Sequence, residues 1–300
     1  MKDFAMLKFT TAICLALTLS LSACKKPDAS KAANKTNGST HSLPPLADYM
    51  ACLPQKAALV AAHRGTAERS KYPENSMSAL KALIDKGYLV AEIDVAGLKD
   101  GMHILYHDGV WDEKSTGKGP IASSTWSDAE KILLDDTNGK LSADRPVKFE
   151  DYLMAAKGKI YLEIDFKSSS KYETVLDFIR KQGMANQVIL ISYNEGQTRK
   201  LSRLAPDMMI SIGSSEALGQ RRFKADQVAA WIGYNVDNKA LVQNLRDKDI
   251  PILGRIRKNW DIQAADAADL LVTDDIFDVD PIVGLTNTDK AKLESCLANL

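Results

Sequence analysis

Short apolar runs recur along the chain at 58–63, 89–95, 160–165, 188–193, 208–212, 228–233, 250–256 and 270–273, with helical periodicity between them. Runs of that length read as buried strands. Strands that alternate with helices indicate an α/β fold, because each parallel pair needs a crossover that covers the sheet. Eight such units predict closure into a (β/α)8 TIM barrel. A doubly wound open sheet has the same periodicity and stands as the alternative. The first helix is the best marked: Asn75 and Ser76 can cap it, Leu80, Leu83 and Ile84 recur on one face, and Gly87 can end it. Helices over 172–183, 195–204 and 239–248 follow the third, fourth and sixth runs.

Regular spacing fails once. Residues 108–150 are rich in Gly, Ser and Asp around a short helical pattern at 127–134. A connection that long inside a compact domain usually has a functional reason. It reads as a lid-like elaboration of one βα loop, too small to be a domain of its own.

The start of the chain has a different character. Lys2 and Lys8 precede an apolar run over residues 12–21, and the run ends Leu21-Ser22-Ala23-Cys24. This is the layout of an export signal over residues 1–23, with an apolar run shorter than the roughly 20 residues that span a membrane. The Leu-Ser-Ala-Cys ending resembles the cleavage and lipidation box of bacterial lipoproteins, which implies a lipid anchor on Cys24. Lys25 resembles the outer-membrane sorting type. The resemblance implies a membrane partner through that anchor and a place in a Gram-negative cell envelope, on the outer membrane facing the periplasm. Residues 24–45 hold mostly Lys, Ala, Ser, Thr, Asn and Gly and are expected to be a flexible tether. Residues 46–300 are expected to form one globular domain.

Composition narrows the function classes. The chain is 45% hydrophobic, ample for a core, and its 39 Lys plus Arg balance 39 Asp plus Glu. Whole-chain disorder is excluded, and there is no broad basic footprint for a nucleic-acid backbone. Oligomeric state is not written in the sequence.

Chemistry collects at the ends of the first three strands. His63-Arg64-Gly65 ends the first; Glu92 and Asp94 share one face of the second, and Glu163 and Asp165 repeat that spacing in the third. Paired carboxylates repel unless they share a cation or a proton, so a hard divalent metal is the simplest reason to gather them. His103 and His107 follow the second strand, in a stretch that looks like a short returning strand. In a barrel these strand ends form the active face.

These pieces resemble the glycerophosphodiester phosphodiesterase family. They are His63-Arg64-Gly65, Pro73-Glu74-Asn75-Ser76, Glu92-Ile93-Asp94, His107-Asp108, Gly117-Lys118-Gly119, Glu163, Ser192-Tyr193 and Thr273-Asp274, in family order. The resemblance implies a (β/α)8 barrel that hydrolyses small-molecule glycerophosphodiesters to glycerol 3-phosphate and an alcohol. It implies metal ligands at Glu92, Asp94 and Glu163 for one divalent cation, Ca2+ or Mg2+. It places the paired acid and base at His63 and His107 and a phosphate-contacting arginine at Arg64. Either the glycerol 2-hydroxyl or water can serve as nucleophile in that scheme.

The chain also departs from the family pattern. Relatives usually have a lysine two residues after the strand-three glutamate, where this chain has Asp165. They often have Trp-Thr-x-Asn in strand seven, where this chain reads Ile252-Leu253-Gly254-Arg255-Ile256. Lys167 or Arg255 is a candidate to supply the missing charge. A lipid-headgroup phosphodiesterase, resembling phospholipase C or D, and a catalytically silent phospho-ligand-binding surface lipoprotein are the alternatives. Of Trp111, Trp126, Trp231 and Trp260, Trp231 is the one expected near the barrel interior, and Asp274-Asp275 is expected to shape the barrel mouth. With Cys14 in the signal and Cys24 carrying lipid, Cys52 and Cys296 remain to form a disulfide that joins the segment before the first strand to a terminal helix.

Overall fold

In a computed structural model, which describes residues 43–219, 227–256 and 265–300, the eight expected runs are all strands. The chain passes through α1 (Leu46–Cys52), β1 (Ala58–Ala62), α2 (Met77–Asp85), β2 (Val90–Gly97), β3 (His103–Leu105), α3 (Trp126–Ala129), α4 (Phe149–Ala156) and β4 (Tyr161–Phe166). It continues through α5 (Tyr172–Lys181), β5 (Val188–Ile191), α6 (Glu195–Leu204), β6 (Met209–Gly213), α7 (Ser214–Gly219) and β7 (Val228–Gly233). It ends with α8 (Lys239–Arg246), β8 (Ile252–Arg255), β9 (Leu270–Thr273), β10 (Ile282–Val283) and α9 (Asn287–Leu297). Parallel pairing runs β1-β9-β8-β7-β6-β5-β4-β2, and β2 pairs back onto β1. That last pairing closes the barrel and excludes the open sheet. The short β3 and β10 add antiparallel to β2 and β1.

Alternation sorts each strand between two cores. Ala91, Ile93 and Val95 of β2 and Leu162, Ile164 and Phe166 of β4 face outward into the layer covered by the helices, where Val175, Leu176 and Ile179 of α5 also lie. Leu59, Val90, Tyr161, Ile189, Met209, Leu253 and Leu270 face inward and fill the lower barrel. Above Val90 and Tyr161, the same inward rows carry Glu92 and Asp94, and Glu163 and Asp165. The register sets Glu92 beside Glu163 and Asp94 beside Asp165. An apolar floor thus supports a polar layer at the strand ends.

The floor is plugged by α1, whose Leu46, Tyr49 and Met50 pack into the inner core. Tyr49 meets Tyr161 edge-on, and the Tyr161 hydroxyl donates to the Pro44 carbonyl at 2.8 Å. Leu297 of α9 packs on the same cluster, and a disulfide joins Cys52 to Cys296.

Two local expectations change. Ser76 caps α2 by accepting from the Ala79 N–H, but Asn75 does not cap it; its side chain has another partner, described below. In the long connection the helix is α3, Trp126–Ala129, opened by a Thr125–Asp128 capping box and ending at the Glu130 cap rather than running to 134. Ile121, Ala129 and Leu134 turn inward with the fully buried Trp111 to build a small core of their own against Ala96, Ile104 and Tyr106. Among the described residues no helix is long and apolar enough to cross a membrane. The expected signal over residues 1–23, Cys24, most of the 24–45 tether and Trp260 lie outside the described residues.

Candidate active site

Glu92, Asp94, Glu163 and Asp165 are all buried at the mouth of the barrel and line one cavity of about 310 Å³, together with His63, His107, Lys167 and Arg255. Oxygens of Glu92, Asp94 and Asp165 come within 4.8 Å of one another. The resemblance places Glu163 in that trio; here Asp165 joins the other two, while Glu163 stands beside Glu92 in the register. Glu163 Oε2 and Asp165 Oδ1 are buried with no hydrogen-bond partner. Burial and the charge of Asp165 push the Glu163 carboxyl up to about 8. Burial, with Asp94 next, also raises Glu92, although the Arg64 backbone N–H at 2.7 Å works the other way. Orphaned carboxylate oxygens that resist ionisation for want of positive charge are what a hard divalent cation with oxygen ligands would relieve, so the donor set fits Ca2+ or Mg2+.

Lys167 is the cation that touches this cluster. Its Nζ lies 2.7 Å from both Asp94 Oδ1 and Asp165 Oδ2. Burial opposes its charge, but Asp94 and then Asp165 more than compensate and hold its pKa above the usual value. Tyr193 also donates its hydroxyl to Asp165 Oδ2 at 2.9 Å.

Each histidine is backed by a carboxylate. His63 Nδ1 is 2.6 Å from Asp274 Oδ1, which leaves Nε2 facing the cluster, 3.9 Å from Glu92 Oε2. Arg255 donates to the other oxygen of Asp274 at 2.7 Å, and its guanidinium lies against the His63 ring. The hydrogen bond from His63 and then that from Arg255 outweigh burial and hold the Asp274 carboxyl well below the usual range. His107 Nδ1 is 2.7 Å from Asp108 Oδ1, and the neighbouring Arg64 Nη2 is 2.9 Å from its Nε2. Burial favours the neutral form of Asp108, yet His107 and Lys114 together lower its pKa. In both pairs a carboxylate holds Nδ1 and turns Nε2 to the site: in His63 it faces Glu92, and in His107 it accepts from Arg64, which must release it before it can exchange a proton.

Arg64 is spent mostly on positioning. Its side chain is held by both oxygens of Glu74 at 3.0 and 3.1 Å, and its backbone adopts a left-handed φ of 54°. Lys114 of the long connection joins Glu74 at 2.8 Å, which ties that insertion to the mouth. His103 is buried in β3, where its Nε2 accepts the Lys171 N–H at 3.1 Å, and it does not line the cavity. Trp231 does line it.

Asn75 is the residue the helix-start pattern conceals. Its amide donates to Asp94 Oδ2 at 2.7 Å while its carbonyl accepts the Asp94 N–H at 2.9 Å. Its φ of 56° permits that reach, and a non-glycine left-handed residue next to a cap is the local sign of such a role.

The sequence profile of the glycerophosphoryl diester phosphodiesterase family matches residues 63–240, more than half of the chain. The chain belongs to that family. It is 27% identical over 161 residues to the glycerophosphodiester phosphodiesterase of Caldanaerobacter subterraneus subsp. tengcongensis, covering 51% of this chain and 65% of that one. It therefore spans just under two thirds of that relative's length. Among solved structures it superposes on a glycerophosphoryl diester phosphodiesterase from Parabacteroides distasonis with a TM-score of 0.68 at 18% identity, covering 86% of this chain and 93% of that one. A glycerophosphodiester phosphodiesterase from Agrobacterium tumefaciens gives a TM-score of 0.62 at 18% identity, with 73% and 96% covered. At those identities the solved structures speak to the family's barrel, and the chemistry rests on this chain's own residues.

Proposed function

We propose that this chain hydrolyses glycerophosphodiesters to glycerol 3-phosphate and an alcohol with the help of one divalent cation, Ca2+ or Mg2+. The observation that carries the reading is the convergence of two carboxylate-backed histidines on one cavity with four buried carboxylates. Glu92, Asp94 and Asp165, with Glu163 alongside, would hold the cation. Once bound, it would supply positive charge to the non-bridging phosphate oxygens. Arg255 lines the cavity and meets the anion from the His63 side, whereas Arg64, held by Glu74 and His107, would reach it from the His107 side only by turning its Nη2 away from His107 Nε2. One imidazole takes at Nε2 the proton of the attacking water, or of the glycerol 2-hydroxyl, while the other gives a proton to the leaving alcohol oxygen, each oriented by Asp274 or Asp108; where the 2-hydroxyl attacks, water then opens the cyclic phosphate to glycerol phosphate.

The insertion favours a small soluble substrate over a lipid headgroup. Most of its large apolar residues are folded into their own core, with Leu141 exposed, and the face it turns to a second cavity of about 420 Å³ beside His63 carries Glu113, Lys114, Asp135, Asp136 and Thr137. Such a wall offers no apolar bed for acyl chains. A silent binding protein would not need two histidines oriented by carboxylates.

The assay is hydrolysis of glycerophosphocholine, glycerophosphoethanolamine, glycerophosphoglycerol and glycerophosphoinositol by the purified chain, with and without chelator. Turnover that chelator abolishes is expected for at least one. No turnover of any, with metal supplied and the fold intact, rejects the reading.

We further propose export and lipid anchoring at Cys24, which would place the barrel on the outer membrane, facing the periplasm at the end of a tether. The Cys52–Cys296 disulfide suits an oxidising compartment. Mass analysis of the mature N-terminus should find acylated Cys24, and Cys24→Ala should release the protein from membranes.

A further inference from the structure

The proposed metal site leaves open what Lys167 does among the carboxylates that would hold the metal. We infer that Lys167 is a tethered counter-cation of this site, which divalent metal displaces, so that Lys167 sets the affinity for metal. The inference rests on the site being a metal site.

The argument turns on which oxygens are free. Asp94 Oδ2 is taken by the Asn75 amide at 2.7 Å, so Oδ1 is the oxygen Asp94 can offer to a ligand. Lys167 Nζ sits on that oxygen, at 2.7 Å. The same ammonium bridges to Asp165 Oδ2, also at 2.7 Å. These separations are close to the roughly 2.3–2.6 Å at which Ca2+ binds carboxylate oxygens, so the ammonium takes nearly the place of a metal ion. A divalent cation and an ammonium on the same oxygen repel at short range in a poorly screened site. Metal at Asp94 therefore moves Lys167 aside.

Chain geometry permits the move. Lys167 follows directly on β4, and its flexible stem is rooted at the cavity wall instead of in the floor. Asp165 and Lys167 lie two positions apart, so the same stretch of chain brings both a carboxylate and the ammonium that meets it. The net effect is that Asp94 and Asp165 have a cationic partner without metal, while Glu163 has none among the described residues. On metal binding the freed ammonium remains tethered beside the cavity.

Calorimetric titration of Mg2+, Ca2+ and Mn2+ into metal-free wild type, Lys167→Met and Lys167→Gln tests this. Both variants should bind about tenfold tighter or more, since they lose a competitor and a like charge together. Their metal-free forms should melt below wild type, and their loaded forms should recover. A nitrogen-detected lysine NMR signal from the hydrogen-bonded Nζ should be present in metal-free wild type and vanish on titration. Equal or weaker affinity in either folded variant, or persistence of that signal at saturation, overturns the inference while leaving the metal site standing. Absence of binding by wild type and both variants rejects the metal reading itself and this inference with it; binding by the variants alone is the limiting case of the expected result.

Discussion

Asn75 grips Asp94 at both ends: its amide donates to the carboxylate at 2.7 Å, and its carbonyl accepts the Asp94 backbone N–H at 2.9 Å. The aspartate is thereby fixed in rotamer and in height along β2. Outer partners of this kind typically contribute about 10–100-fold in metal affinity. Asn75→Ala should weaken divalent-cation binding by that order while circular dichroism stays native. Unaltered affinity would show that Asp94 orients itself.

Asp274 joins His63 to Arg255, and both partners hold its pKa down. A carboxyl depressed in the folded state adds stability above its ordinary unfolded pKa of about 3.9 and loses it as pH falls through the lower folded value. The gap in melting temperature between wild type and Asp274→Asn should therefore be largest near neutrality and close in strong acid. The same variant should lower kcat more than it changes KM, because His63 loses the acceptor that orients its ring. An unchanged kcat would remove Asp274 from the positioning of His63.

Glu163 has the opposite sign. Burial raises it to about 8, so between its unfolded pKa near 4.3 and that value the unfolded chain ionises first, and stability of the metal-free protein falls as pH rises. Glu163→Gln should melt higher than wild type at pH 8 without metal, match it at pH 4, and bind metal more weakly. A variant with no pH-dependent difference and normal metal binding would mean that Glu163 is neither strained nor a ligand.

His63→Ala and His107→Ala should each reduce turnover by about 10²–10⁴-fold, the usual scale for positioned acid–base catalysis. A substrate with a very acidic leaving alcohol should selectively rescue the variant that lacks the general acid, expected to be His107. Equal rescue of both would dissolve the assignment.

The disulfide closes a loop with a sequence separation of 244, and chain-entropy arguments for loops that long give more than about 4 kcal/mol as an upper guide. Cys52→Ser with Cys296→Ser should lower the melting temperature and raise hydrogen exchange first in α1 and α9. Protection lost instead from the barrel strands would contradict a bond that secures the ends of the fold.

The barrel was legible because strands buried on both faces read as continuous apolar runs, and the four carboxylates stood out inside two of them. Side-chain alternation was enough to place Glu92 and Asp94 on one face. Which carboxylates approach one another was not readable, since that depends on the β2–β4 register and on Lys167 drawing Asp165 toward Asp94. Asn75 hid behind a cap pattern that Ser76 satisfies by itself. The contact of Asp274 with His63 spans 211 positions of sequence, and local pattern has no access to it. The helix expected at 127–134 ends early because Leu134 bridges to Ser115 and packs into the insertion's own core.

The plug formed by α1 gives the barrel a blind end. With Leu46, Tyr49 and Met50 filling the floor, the cavity communicates with solvent through the mouth, and in the proposed reaction one doorway serves substrate and both products. In that scheme the phosphate product would have to clear the same threshold before the next substrate could cross it, which would make it a competitor of its own precursor.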